Sequence, residues 1–167
     1  MKATIEIAER LVRKIYPTVT YESVCSPLAR SRAAMCHCCI THGMFRATII
    51  PDNYDFVIKT GRSDIGYKQC CHEALAYQRA CESGVSEYFA RYIGSFQYHN
   101  HIFYVFEKIY DISDSNPEIE EYEDELPDSL WRFLNENNID DIHNENYGFR
   151  DDGSIAICDY AGYKMWR

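Results

Sequence analysis

Between Met35 and Glu107 the chain carries five strand-length segments, split three and two by one helical stretch. That order restricts the fold more than any other feature of its 167 residues. The spacing predicts strands over Met35–Thr41, Phe45–Ile50 and Asp55–Lys59. The link Pro51-Asp52-Asn53-Tyr54 supplies a preset φ and side chains that hydrogen-bond their own backbone, so the second and third strands form a hairpin. Gly61 follows, and the Ser63 hydroxyl can accept from the free amides of a helix running to about Cys81, which Gly84 stops. Two further strands, Arg91–Phe96 and Ile102–Glu107, are joined by the polar connection Gln97–His101. Short connections make antiparallel neighbours. The order is therefore that of an α+β chain, with antiparallel hairpins on either side of a long helix.

On either side the pattern changes. Residues 3–16 set Ile5, Ala8, Leu11, Val12 and Ile15 on one helical face, and Pro17 ends the helix. Such a face is expected to pack on the domain rather than on a membrane or a partner. Residues 18–34 give no assignable pattern. From Asp111 to Leu126 there are eight acidic residues in sixteen, with Pro117, which reads as a solvated linker. Pro127 opens a helix to about Asn138, with Leu130, Trp131 and Leu134 as its apolar positions. A loop Ile139–Asn146, a strand Tyr147–Phe149, the turn Asp151-Asp152-Gly153 and a strand Ile155–Cys158 complete the reading.

Composition excludes some classes of function. Hydrophobic residues at 46% and aromatics at 14% describe a globular chain. A net charge of −9, with scattered basic residues, argues against direct nucleic-acid binding and leaves a protein as the expected partner. No apolar run approaches the ~18 residues that would span a bilayer. Glu6 and Glu9 interrupt the N-terminal apolar pattern, so no signal peptide is expected. The eight cysteines include the adjacent pairs Cys38-Cys39 and Cys70-Cys71, awkward for a disulfide framework. A reduced, cytoplasmic protein is the expectation. Cys36, His37, Cys38, Cys39, His42, Cys70, Cys71 and His72 include zinc-ligand types, and Cys36 with Cys39 has a usable spacing. Strand alternation would split them between two faces, which favours ordinary buried thiols.

One segment carries chemistry. Asp141-Ile142-His143-Asn144-Glu145-Asn146 is followed, after the hairpin, by Asp159-Tyr160-Ala161-Gly162. Phosphoryl transfer from ATP needs a carboxylate to orient the acceptor, hard oxygen ligands for Mg²⁺ and a cation on the phosphates. Asp141 precedes Asn146 by five residues, so one loop can aim both into a cleft, and the hairpin returns Asp159 to the same place.

D-x-x-x-x-N, a hairpin, then D-x-x-G resembles the catalytic and metal-binding loops of the protein-kinase-like superfamily, which spans protein kinases and aminoglycoside-phosphotransferase-like kinases. His143, two residues after Asp141, is similar to the latter group. Upstream, Val57-Ile58-Lys59 resembles the strand whose lysine contacts the phosphates, and Glu73 matches its helical partner. Phe106-Glu107-Lys108-Ile109 falls where kinases place the gatekeeper and the adenine-binding hinge. In flavour the chain is similar to small phage-encoded kinase-like proteins, for which the location would be the host cytoplasm.

The resemblance implies a single α+β kinase-like domain over 1–167, with a five-stranded antiparallel sheet and a long helix in its small lobe and a truncated helical lobe. It would comprise a helical extension (1–34), a small lobe (35–110), the acidic linker (111–126) and a truncated large lobe (127–167). It implies ATP and Mg²⁺ as cofactors. Asp141, Lys59 and Glu73 would be the catalytic set, Lys59, Gly43, Glu107 and Ile109 would hold the nucleotide, and Asn146 and Asp159 the metal.

Three positions depart from the family pattern. Gly43 is all that stands for the glycine-rich phosphate loop, Ile139-Asp140 replaces the usual His-Arg, and five residues after Gly162 leave no room for a substrate platform. Two functions follow as expectations. One is phosphotransfer to a protein substrate. The other is a non-catalytic, pseudokinase-like module that binds and inhibits or redirects a partner protein through its acidic surface.

Overall fold

The computed structural model describes residues 1–111, 126–140, 142–143 and 146–161. Asp141, Gly162 and nearly all of the acidic stretch lie outside the described residues. The chain divides into two compact units, one of residues 1–74 and 92–108, the other of residues 75–91 and 109–167.

In the first unit, α1 (Lys2–Ile15) forms where the apolar spacing predicts it and buries Ala8, Leu11, Val12 and Ile15. Its last turn carries Arg13 and Lys14, which suit the negative end of the helix dipole. A second helix, α2 (Pro27–Met35), fills the stretch that sequence patterning left unassigned. Ser26 caps it by accepting from the Ala29 amide at 3.2 Å, and Pro27 occupies its first turn. The helix buries only Ala29 and Ala33, both small, so its hydrophobic stripe is almost invisible in the sequence. Because α2 continues through Met35, the first strand starts three residues later than expected. His37 makes the junction in the left-handed region at φ 53°.

Five strands follow: β1 (Cys38–His42), β2 (Arg46–Pro51), β3 (Phe56–Gly61), β4 (Tyr92–Tyr98) and β5 (His101–Glu107). They form the expected antiparallel sheet, in the order β1-β2-β3-β5-β4. Residues between β3 and β4 include α3 (Asp64–Ser83), so β4 is laid at the sheet edge and β5 returns beside β3. Ala47, Ile49, Phe56, Ile58, Phe103 and Val105 of the sheet share one core with α1 and α2. Residues 1–34 are thus integral to the packing of this unit. Tyr16 anchors the segment between the two helices through its hydroxyl, which donates to the Val24 carbonyl at 2.8 Å, and burial pushes that hydroxyl well above its ordinary range.

The second unit takes the last turns of α3, which end at Gly84 with φ 73°, a conformation open to glycine without a Cβ clash. It adds a 3₁₀ turn (Ser86–Tyr88), the short strand β6 (Tyr110–Asp111), α4 (Asp128–Glu136), β7 (Tyr147–Phe149) and β8 (Ile155–Ile157). The last three strands form a small antiparallel sheet in the order β6-β7-β8. α4 buries Leu130, Phe133 and Leu134, while Trp131, expected inside, is 39% exposed. Phe89 is the centre of this core, 5.6 Å from the Phe133 ring and 4.9 Å from the Tyr160 ring, both edge-on. The Tyr160 hydroxyl donates to the Ala90 carbonyl at 2.8 Å, which satisfies both buried groups.

Candidate functional site

Lys59 and Glu73 meet in the first unit. Lys59 stands in β3 and Glu73 nine residues into α3, with the Nζ–Oε1 distance at 2.5 Å. The Glu73 side chain is fully buried and that of Lys59 nearly so. Lys59 also lies over the Phe106 ring, 5.0 Å from its centroid, so the ammonium is flanked by a carboxylate and an aromatic face.

A third residue enters the group. Arg46, at the start of β2, donates to Oε2 of Glu73 at 3.0 Å, so each carboxylate oxygen has its own cation. The sequence reading missed Arg46, although a signal for it was present. In the β2–β3 register Arg46 faces Gly61 and Thr48 faces Lys59, so period-two alternation puts Arg46 and Lys59 on one face.

Local packing fixes the helix that carries Glu73. The Ser63 hydroxyl accepts from the Gly66 amide at 3.3 Å, as its capping position predicts. Gly66 lies so close to the Phe45 carbonyl, and Gly61 to the Tyr67 backbone, that a Cβ at either position would overlap main-chain atoms. A Cβ on Gly43, by contrast, would meet nothing within 4 Å.

Gly43 sits at the β1–β2 turn. Its amide donates to the Arg46 carbonyl at 3.1 Å and its carbonyl accepts from the Arg62 guanidinium at 2.9 Å. Arg62 also approaches Nδ1 of His42 at 3.2 Å, and its own amide donates to the Phe45 carbonyl at 2.7 Å. The turn is tied down on both sides. Of the residues expected at a hinge, Glu107 ends β5 opposite Phe56, and the Lys108 amide donates to the Asp55 carbonyl at 3.1 Å. Ile109 begins the second unit, half-buried, in the space that Gly148 leaves by having no side chain.

In the second unit the hairpin of β7 and β8 sets Tyr147 opposite Ile157. The next pair outward is closed by the Cys158 amide donating to the Asn146 carbonyl at 2.8 Å. Asn146 and the residue preceding Asp159 are thus cross-strand neighbours, so the two residues expected to hold a metal stand at the same end of one hairpin. Asn146 is buried and Asp159 half-buried. Arg150 braces the far end: its guanidinium donates to the Glu87 and Phe89 carbonyls, each at 3.0 Å, and reaches the Ser154 hydroxyl at 3.2 Å. The turn uses Gly153 at φ 84°, and Asp152 accepts from the Ser154 amide and hydroxyl, which holds its carboxyl below the usual range.

The cysteines form a separate population. All eight are free thiols. The Cys38 thiol is pushed up to about 11, chiefly by burial, with Cys36, Asp52 and Cys39 adding to it. Among the described residues no three His, Cys, Asp or Glu side chains gather as a metal-binding group, so the Cys/His segments do not assemble into a zinc site there. Among them, too, no helix is long and apolar enough to cross a membrane.

No protein-family model matches the chain, and no curated protein matches it by sequence. Among solved structures it overlaps a co-crystal structure of WbdD with the kinase inhibitor LY294002, at 11% identity and a TM-score of 0.42. The overlap covers 74% of this chain and 32% of that one, so the chain spans about a third of the structure it matches. Overlap at that level carries no argument about function. The functional reading rests on the side chains described above.

Proposed function

We propose that this chain is a kinase-like protein that binds ATP with Mg²⁺ and transfers the γ-phosphate to a hydroxyl of a protein substrate. The observation that carries the reading is the buried pair of Lys59 with Glu73, a strand lysine fixed by a helix glutamate. Burying two charges is unfavourable unless geometry and extra hydrogen bonds offset their desolvation, so such a pair is weak evidence for stability alone. A role in holding an anionic ligand accounts for it better. In this reading Lys59, fixed by Glu73, holds the phosphates, and Glu107 and Ile109 flank the base. Asn146 and Asp159 ligate the metal through oxygen, as Mg²⁺ prefers. Asp141 orients the acceptor hydroxyl.

A second reading is favoured by one observation. The Gly43 amide is already committed to the Arg46 carbonyl, so the turn that would cover the phosphates offers less than a glycine-rich loop does. That suits a module that binds nucleotide or a partner protein without turnover, with the acidic segment as its contact surface.

Incubation with γ-labelled ATP, Mg²⁺ and a protein acceptor, with autophosphorylation scored as well, separates the two. The kinase reading expects label transfer by the wild type and its loss in Asp159→Ala and Lys59→Met. Nucleotide binding without transfer to any acceptor, together with capture of a partner that Asp159→Ala leaves intact, would establish the second reading instead.

A further inference from the structure

Glu73 is held by two cations from two different strands, and this arrangement bears on how Lys59 can work. Lys59 takes Oε1 from β3, and Arg46 takes Oε2 from β2. The Glu73 side chain is fully buried, so water cannot compensate an ionised carboxylate there when a cation is withdrawn. A lysine that alone neutralised this carboxylate could turn toward a phosphate only by stranding it. A guanidinium on the second oxygen removes that conflict, and arginine stays charged at any working pH.

The backbone supports the same role. The peptide immediately before Arg46 packs against the helix that bears Glu73, because the Phe45 carbonyl lies directly against Gly66 in the first turn of α3. That carbonyl also accepts from the Arg62 amide at 2.7 Å, next to the β3 end that carries Lys59. The backbone contacts around Phe45 thus link the start of β2, the end of β3 and the first turn of α3.

We propose that Arg46 is a positioning residue that keeps Glu73 neutralised and in place, so that Lys59 can engage an anionic phosphate without leaving the carboxylate uncompensated. The proposal rests on the reading of Lys59 as the phosphate-facing cation. It also implies that the pair is built in: α3 cannot swing Glu73 away without breaking two ion pairs on two strands.

The test reads Lys59 directly, in the full chain without nucleotide, as its rate of acylation by an amine-reactive ester followed by peptide mass spectrometry. Arg46→Met removes the guanidinium from Glu73 and leaves the Lys59 ammonium on it, and acylation should slow by about tenfold, the scale expected when a like charge is removed beside an ionised amine. Arg46→Lys should restore most of the wild-type rate, and adding Glu73→Gln to Arg46→Met should abolish the slowing. The same variants, titrated with Mg-ATP, should show weakened binding for Arg46→Met and recovery for Arg46→Lys. If Arg46→Met does not fold, as thermal unfolding will report, the Arg46→Lys variant and the double variant, which strands no carboxylate, still decide the matter. An acylation rate indifferent to Arg46, or an Arg46→Lys variant no better than Arg46→Met, overturns the proposal whether or not nucleotide binds. The expected acylation pattern in a protein that binds no nucleotide supports the hold of Arg46 on Glu73 and counts against the nucleotide reading alone.

Discussion

The two units carry their polar residues by different means. In the first, Arg46, Lys59 and Glu73 come from two strands and a helix, and a buried ion network holds them. In the second, Asn146 and Asp159 come from one short hairpin, and the closure of that hairpin sets them side by side. The first arrangement depends on a whole sheet and tolerates little change in charge. The second depends on local backbone geometry, so it responds to turn chemistry more than to electrostatics.

The largest expected effect breaks the first arrangement. Glu73→Ala leaves two cations beside an apolar side chain, and a loss of about 3–5 kcal/mol is expected in denaturant unfolding. Next comes the hairpin. Gly153 has φ 84°, so Gly153→Ala should cost about 1–2 kcal/mol in the same measurement. It should also weaken the Mg²⁺-dependence of nucleotide binding, because the turn sets the register that places Asn146 opposite Cys158. A turn substitution that alters stability yet leaves metal dependence unchanged would show that the hairpin does not position the ligands. A smaller effect is expected from Tyr160→Phe, which removes the donor to the Ala90 carbonyl and should cost about 1 kcal/mol.

The gentlest test is pH. His101 is buried between the rings of Tyr21 and Tyr67, 5.2 and 5.8 Å away, and neither ring nitrogen has a hydrogen-bond partner among the described residues. Burial, with the charge of His99 adding to it, holds the imidazole below the ordinary histidine range. The unfolded chain then binds more protons than the folded one below about pH 6.5. Stability should be undiminished above that value and fall as the pH drops through the window between it and the depressed folded one. His101→Phe should flatten this part of the profile, and an unchanged acid slope would assign the loss to other groups.

What the sequence made legible follows the same division. The β7–β8 hairpin could be read closely because its register is set by a local turn, Asp151-Asp152-Gly153, with strong chemistry. The pair of Lys59 and Glu73 came from resemblance, since fourteen residues and a change of element separate them. Arg46 is harder to read, because strand alternation puts it on the face of Lys59 only once the β2–β3 register is known. The helix α2 escaped because it buries two alanines and exposes Leu28 and Met35, the reverse of the usual stripe. Its Ser26-Pro27 start was nonetheless a readable signal. Gly61 and Gly66 could not be recognised as close-approach positions without the coordinates, because what crowds them is backbone brought in by the fold.

Calorimetric titration of the full chain with ATP tests whether these residues serve a metal-dependent nucleotide site. Saturable binding is expected in the presence of Mg²⁺, with much weaker binding when Mg²⁺ is chelated and loss of the metal-dependent part in Asp159→Ala. A flat titration of folded wild-type protein with Mg-ATP would contradict it.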